Sequence, residues 1–153
     1  EEYFVEGLKL RNQGKYLEAL VNFNISVKIN SDFMEGYFNI GLMNWYLDNN
    51  LEAINYFTEA LKFKSDYKPS VPILYLNRGR AKYDEKLYSS AIMDLNKSIQ
   101  LRADDYEAYV SRAKCKIQLG KDEEACLDLK KAKNLGYLDA KQLVRYYCQE
   151  KNK

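Results

Sequence analysis

The feature that most constrains this chain is a set of four residue ladders that share one spacing. Small residues, alanines, tyrosines and large apolar residues each recur at separations of 34, 38 and 34 residues. Four ladders with one period and one four-residue insertion indicate that a single structural unit is repeated along the chain. The ladders are Gly7, Gly41, Gly79 and Ala113; Ala19, Ala53, Ala91 and Ala125; Tyr3, Tyr37, Tyr75 and Tyr109; and Phe23, Phe57, Leu95 and Leu129.

Within each unit the apolar residues follow a helical period rather than the alternation of a strand. In the second unit, Tyr37, Ile40 and Gly41 stand at i, i+3 and i+4, and this spacing resumes at Ala53 after the polar turn 47–50. The pattern predicts two amphipathic helices joined by a short turn. Small side chains at Gly41 and Ala53 let the two helix backbones approach closely, so a bulky replacement is expected to overpack their crossing.

The repeated unit resembles the tetratricopeptide repeat (TPR) family, whose 34-residue unit is a helix-turn-helix. Counted from the family's first position, the tyrosine ladder occupies position 4, the small-residue ladder position 8 and the alanine ladder position 20. The chain departs from the family pattern at position 11, usually aromatic, and at position 32, usually proline, where the last unit has Tyr137. The resemblance implies an all-α, right-handed α-solenoid of helix-turn-helix repeats with a C-terminal capping helix.

The ladders also divide the chain, which we expect to be a single TPR domain over residues 1–153. The inserted residues 68–71 make up about one helical turn, so they are expected to lengthen the first helix of the third unit without rotating its faces. Gly136 is expected to end the helix before it. The predicted repeats are approximately 1–33, 34–67, 72–105 and 106–139, with a closing helix at 138–150.

Composition excludes several classes of chemistry. The chain has no histidine, so it holds no Ser-His-Asp set and no histidine-ligated metal. Its three cysteines, Cys115, Cys126 and Cys148, are odd in number and form no CxxC, and we interpret them as small buried apolar residues rather than a disulfide framework. The acidic clusters 104–105 and 122–124 stand at predicted helix starts, where carboxylates act as caps. We expect no enzyme activity, no cofactor and no metal.

The compartment is weakly determined by the sequence. No apolar run reaches the roughly 18 residues that a membrane-spanning helix needs, and no signal peptide is present. These features favour a cytoplasmic protein and predict no membrane partner. The chain opens at Glu1 without a methionine, so it can equally be a piece of a longer protein with more repeats or another domain.

The TPR resemblance implies that the first helix of each repeat lines a concave groove. At position 6 the groove carries Asn39 and Asn77 in successive repeats, where exposed carboxamides would hold the backbone of an extended peptide. The alternative reading is that these asparagines are merely tolerated polar residues. For the aromatic residues, the alternative is that they pack between neighbouring repeats. The predicted groove residues are Phe4, Leu8, Phe38, Asn39, Leu42, Trp45, Tyr46, Asn77, Arg80, Tyr83 and Lys114.

The chemistry of the predicted groove changes along its length. Position 9 reads Leu8 and Leu42 in the first two repeats, then Arg80 and Lys114 in the last two. Residues 1–76 carry 7 basic and 10 acidic groups, whereas residues 77–153 carry 17 and 12. A matching ligand has apolar anchors followed by acidic groups.

These observations predict a non-catalytic scaffold that binds an extended or helical protein segment. The TPR clamp for chaperone C-terminal tails is not expected, because only Asn39 matches its five required positions. Self-association, through the closing helix or the uncovered first repeat, is one alternative. Binding of single-stranded nucleic acid is the less favoured one, based on a basic stripe in the last two repeats. The stripe comprises Arg78, Arg80, Lys82, Arg112, Lys114 and Lys116.

Overall fold

A computed structural model of the chain describes residues 1–63 and 70–148. Within these residues the chain forms nine α-helices and no strand, so the predicted all-α class is confirmed. The helices are α1 (Glu2–Asn12), α2 (Tyr16–Ile29), α3 (Met34–Tyr46), α4 (Asn50–Ala60), α5 (Ser70–Asp84), α6 (Tyr88–Leu101), α7 (Tyr106–Gln118), α8 (Asp122–Asn134) and α9 (Ala140–Tyr147).

The helices stack in chain order as a helical repeat. Each helix packs against the next one along the chain, and α5 also contacts α3 and α7. The first helices of successive pairs therefore lie side by side and form one face of the molecule. Among the described residues, no helix is both long and apolar enough to cross a membrane.

Close contact inside each helix pair explains the small-residue ladder. A Cβ built on Gly41 would lie 2.6 Å from Cε1 of Phe57, and one built on Gly7 would lie 2.7 Å from Cε1 of Phe23. Both phenylalanine rings are fully buried. The predicted close approach of the two helices is confirmed, because the ring of the second helix occupies the space that a side chain on the first would need.

The turn inside each pair has the same conformation in all four copies. The second of its three residues has a positive φ, between 59° and 74°, and the N–H of that residue donates to the carbonyl three residues back. The next N–H bonds the carbonyl five residues back, which completes a Schellman motif. The left-handed residues are Gly14, Asp48, Lys86 and Gly120.

The four-residue insertion lengthens α5, as predicted. This helix has 15 residues, against 13 in α3 and α7. Pro72 is its third residue, where a missing N–H is tolerated, and its carbonyl accepts a 2.9 Å hydrogen bond from Ser98 Oγ. Residues 68 and 69 of the insertion lie outside the described residues.

The last helix, α9, closes the apolar end of the stack. Its residues Leu143, Val144 and Tyr147 pack on a cluster formed by Ala113, Ala125 and Leu129. Within the predicted segment 138–150, the helix occupies Ala140–Tyr147, and residues 149 and 150 lie outside the described part of the chain. Gly136, with a φ of 100°, stands in the turn after α8.

The expectation that no cysteine is paired was wrong. Cys126 of α8 and Cys148, which follows α9, form a disulfide with their Cα atoms 5.2 Å apart. Residues 22 apart meet because α9 folds back onto α8, a pairing that sequence spacing alone does not reveal. Cys115 is free and buried, as predicted.

The helix crossing provides a first test. Gly41→Ala places a methyl group against the buried ring of Phe57, so the free energy of unfolding is expected to fall by about 1–3 kcal/mol. Adding Phe57→Leu should recover part of this loss, because the fourth pair already accommodates Ala113 with Leu129. Chemical denaturation of the wild type, both single variants and the double variant measures the coupling. If the two substitutions change the free energy of unfolding additively, residues 41 and 57 do not interact at the helix crossing.

The left-handed turns provide a second test through a reciprocal exchange. Lys86→Gly is expected to raise the free energy of unfolding by about 0.5–1 kcal/mol, because glycine adopts a positive φ without a Cβ clash. Gly120→Lys should lower it by about 1 kcal/mol at the equivalent position, where a Cβ meets no other atom within 4 Å. Equal signs for the two variants in thermal or urea unfolding would argue against backbone strain as the cause.

Candidate ligand groove

A cavity of about 380 Å³ opens on the face formed by α3, α5 and α7. It brings together four of the predicted groove residues, Trp45, Arg80, Tyr83 and Lys114. The remaining lining residues are Asp84, Tyr106, Glu107, Val110, Ser111 and Tyr137.

The charges of the cavity are only partly paired. Arg80 Nη2 bonds Glu107 Oε2 at 3.0 Å, and Arg80 Nε donates to Ser111 Oγ at 3.3 Å. Lys114 is exposed and forms no salt bridge with a carboxylate in residues 1–63 or 70–148. Lys114 is therefore the cation most accessible to an anionic ligand, whereas Arg80 would have to leave an exposed carboxylate, an exchange of small cost.

Trp45 and Tyr83 are held in place on the wall nearest α3. The indole Nε1 of Trp45 donates a 2.7 Å hydrogen bond to Asp84 Oδ2. Tyr83 packs with its ring centroid 5.5 Å from that of Tyr88. Burial raises the pKa of the Tyr83 hydroxyl above its ordinary value, and the neighbouring Tyr88 raises it further. The hydroxyl therefore remains a neutral donor at physiological pH.

Two tyrosines of the cavity were not among the predicted site residues. Tyr106, the first residue of α7, stacks on Tyr137 with ring centroids 5.4 Å apart and planes 18° from parallel. Tyr137 occupies position 32, where the family usually has proline. This departure from the family pattern is the sequence signal that could have identified Tyr137 as a site residue, because an aromatic side chain at position 32 can reach the start of α7.

The expectation that Asn39 and Asn77 are exposed was wrong. They retain only 4% and 7% of their accessible surface. Asn39 Oδ1 accepts a 2.7 Å hydrogen bond from Arg11, and its amide group donates to the Glu35 carbonyl at 2.8 Å. Adjacent first helices pack so closely that position 6 lies between them, so replacing Asn39 would disturb this internal network.

The apolar end of the predicted groove is largely committed to packing between helices. Phe4 lies 4.6 Å from the ring centroid of Phe33, a loop residue that covers it. Phe38 packs on Phe57 at 5.9 Å. Leu8 is also partly buried, against a core cluster that includes Phe23. Trp45 is partly buried against a cluster that includes Phe57, and Leu42 packs against both clusters. Most of the surface of these residues is therefore in contact with other side chains of the fold, as the packing alternative predicts.

Tyr46 is the most accessible aromatic residue among the predicted groove residues. It is 48% exposed and stacks on Tyr16 with ring centroids 4.8 Å apart. It also lies next to Trp45, at 5.7 Å between centroids, but does not line the cavity.

Most cations of the basic stripe are used inside the fold. Arg78 bonds Asp94 at 2.6 Å, and Lys82 reaches the same carboxylate at 2.8 Å. The fourth helix pair repeats this arrangement with two cations on the buried carboxylate of Asp128. The four cations of these clusters are only 12–18% exposed. The clusters are Arg78, Lys82 and Asp94, and Arg112, Lys116 and Asp128.

The one free thiol in the described part of the chain is poorly suited to nucleophilic chemistry. Cys115 is fully buried, and burial raises the pKa of its thiol to about 11. A protonated, inaccessible thiol is inert. Of the two acidic clusters, 104–105 supplies a helix cap, because Asp105 accepts the Glu107 N–H at 3.0 Å. The expectation that 122–124 caps α8 was wrong: these residues lie in its first turn, and its N-cap, Lys121, makes no side-chain hydrogen bond.

The chain is similar to known proteins in both sequence and fold. The tetratricopeptide repeat family matches residues 35–67 and 106–135. The TPR repeat-containing thioredoxin TDX of Arabidopsis thaliana is 36% identical over 86 residues, covering 56% of this chain and 22% of that protein. The DnaJ homolog subfamily C member 7 homolog of Dictyostelium discoideum is 28% identical over 147 residues, covering 88% and 27%. The chain thus spans about a quarter of these relatives.

Solved structures share the fold at lower sequence identity. The Cut9–Hcn1 hetero-tetramer of the APC/C superposes with a TM-score of 0.86 at 22% identity, covering 96% of this chain and 29% of that one. YrrB, described as a TPR protein with an unusual peptide-binding site, gives a TM-score of 0.78 at 18% identity, with coverage of 95% and 74%. TPR proteins are typically non-catalytic and bind protein or peptide partners. The repeat ladders, the stacked helix pairs and the two matched repeats support a tetratricopeptide repeat protein.

Proposed function

We propose that this chain is a non-catalytic scaffold that holds an extended or helical protein segment in the groove formed by α3, α5 and α7. The observation that carries the proposal is the cavity of about 380 Å³, in which exposed Lys114 stands beside aromatic walls. The likeness in fold to YrrB, described as a TPR protein with an unusual peptide-binding site, supports peptide binding by a stack of this kind.

The lining residues suggest the chemistry of the bound segment. Tyr83, Tyr106 and Val110 offer apolar surface, and Lys114 offers a cation within the same opening. A side chain with an apolar body next to a carboxylate satisfies both. Asp84 and Glu107 balance the two cations, so the cavity is near neutral. A highly acidic segment is therefore attracted less favourably per charge than a segment with a single carboxylate.

A charge reversal tests the groove. Peptides selected from a random displayed library on the purified chain are expected to share an apolar residue beside an acidic one. For the best synthetic peptide, Lys114→Glu should weaken binding about tenfold or more in fluorescence anisotropy, because it replaces attraction by repulsion. The effect should diminish as salt is added.

Lys130→Glu is the matched control for this experiment. Lys130 is an exposed lysine of α8 that lines neither cavity, so the same change of charge leaves the groove intact. Equal weakening by both variants, or selected peptides without acidic residues, would refute the proposed groove chemistry.

For the alternative function, binding of single-stranded nucleic acid, we expect a negative result. Because Arg78, Lys82, Arg112 and Lys116 are engaged by buried carboxylates, the chain is expected not to bind a single-stranded oligonucleotide at physiological salt. A gel-shift titration with labelled oligo-dT and oligo-U measures this directly. A salt-dependent shift that Lys114→Glu abolishes would instead assign the groove to nucleic acid.

A further inference from the structure

The closing helix α9 is attached to the stack in two different ways. Leu143, Val144 and Tyr147 cover an apolar cluster, and the Cys126–Cys148 disulfide ties the end of the helix to α8. α9 has only eight residues. Helices of this length are not stable in water alone, so the position of α9 depends on these attachments.

A second cavity of about 250 Å³ lies beneath α9 and continues the groove. It shares Tyr83 and Lys114 with the first cavity, while α9 contributes Leu143 and Tyr147 to its wall. Its floor includes Leu129, which is 1% exposed. α9 therefore stands as a wall across one end of the groove.

We propose that the Cys126–Cys148 disulfide is a redox latch that controls the length of the groove. When it is reduced, α9 leaves its seat and uncovers the apolar floor formed by Ala113, Ala125 and Leu129. A partner's amphipathic helix, with apolar residues spaced like Leu143, Val144 and Tyr147, then takes this place. The partner step rests on the proposed function of the groove, whereas the latch itself does not.

The seat itself defines the chemistry of the occupant. It is built from two alanines and a leucine that accept a short helix with apolar residues at i, i+1 and i+4. The outward residues of α9, including Lys141 and Arg145, are exposed. A partner helix thus needs only one narrow apolar face, with a polar opposite side.

The chemical step is a thiol–disulfide exchange with a dithiol reductant. A thiolate of the reductant attacks Sγ of Cys148, the more exposed of the two residues, and Cys126 leaves as a thiolate that takes up a proton. The second thiol of the reductant resolves the mixed disulfide and releases Cys148. Two electrons pass to the protein, and the reductant becomes a disulfide. Cys115 takes no part, because it is fully buried.

Thiol counting and hydrogen exchange test the latch on the full chain. The oxidised protein, denatured without reductant, should alkylate at Cys115 alone, and after reduction at all three cysteines. On reduction, the amides of α9 should exchange about tenfold faster or more, because a closed loop of this size restrains the helix strongly. The Cys148→Ser variant should match the reduced protein, and Cys115→Ser, when oxidised, should match the oxidised wild type.

Two results would overturn the latch. One is alkylation of three cysteines without reductant. The other is equal exchange of α9 in the oxidised and reduced proteins. Neither result affects the charge-reversal experiment at Lys114, which tests the groove separately.

The docking step is tested with α9 itself as the probe. In the full chain, adding Leu143→Asp to Cys148→Ser should prevent the released α9 from rebinding and competing with the peptide, since an aspartate cannot be buried on the apolar floor. A labelled peptide of residues 138–147 is then expected to bind this variant in fluorescence anisotropy and not the oxidised wild type. Fast exchange of α9 without peptide binding would refute the docking surface.

Discussion

The whole architecture depends on one contact, the close approach of the two helices inside each pair. At this crossing a glycine or alanine of the first helix meets a large apolar residue of the second, as in Gly41 with Phe57. The contact fixes the distance between paired helices, and the Schellman turns fix their direction. Because each pair presents similar faces, the next pair can stack on it in the same way, and the stack needs no long-range pairing to form.

The sequence predicted this architecture because its determinants are local and repeated. The ladders, the turn signals and the insertion all act within one helix pair, so their spacing carries the information. The burial of Asn39, the stack of Tyr106 on Tyr137 and the disulfide between Cys126 and Cys148 depend on how different pairs meet. Such contacts leave no periodic trace in a single sequence. For this reason the sequence did not distinguish Arg80 and Lys114, which line a cavity, from Phe4 and Phe38, which pack mostly inside the fold.

The basic residues of α5 and α7 have two roles: some form ion pairs inside the fold, and others face the groove. On α5, Arg78 and Lys82 turn toward the second-helix layer, where Asp94 receives both, while Arg80 faces the groove. α7 repeats this division with Lys114 on the groove side. A count of basic residues therefore overstates the positive charge that a ligand meets, since the helical period separates structural cations from accessible ones.

Because of the ion clusters in the last two helix pairs, the two ends of the stack are stabilised by different interactions. The last two pairs are joined by charged groups that also reach back to their neighbours, as Arg78 does to Thr58 at 3.0 Å and Arg112 to Asn96 at 2.6 Å. The first two pairs have Glu6 and Ile40 at the positions of these arginines and depend on apolar contacts. Apolar burial weakens on cooling, whereas a charge cluster does not weaken in the same way. Because the last two pairs add these clusters to apolar cores of their own, we expect cooling to loosen the N-terminal pairs first.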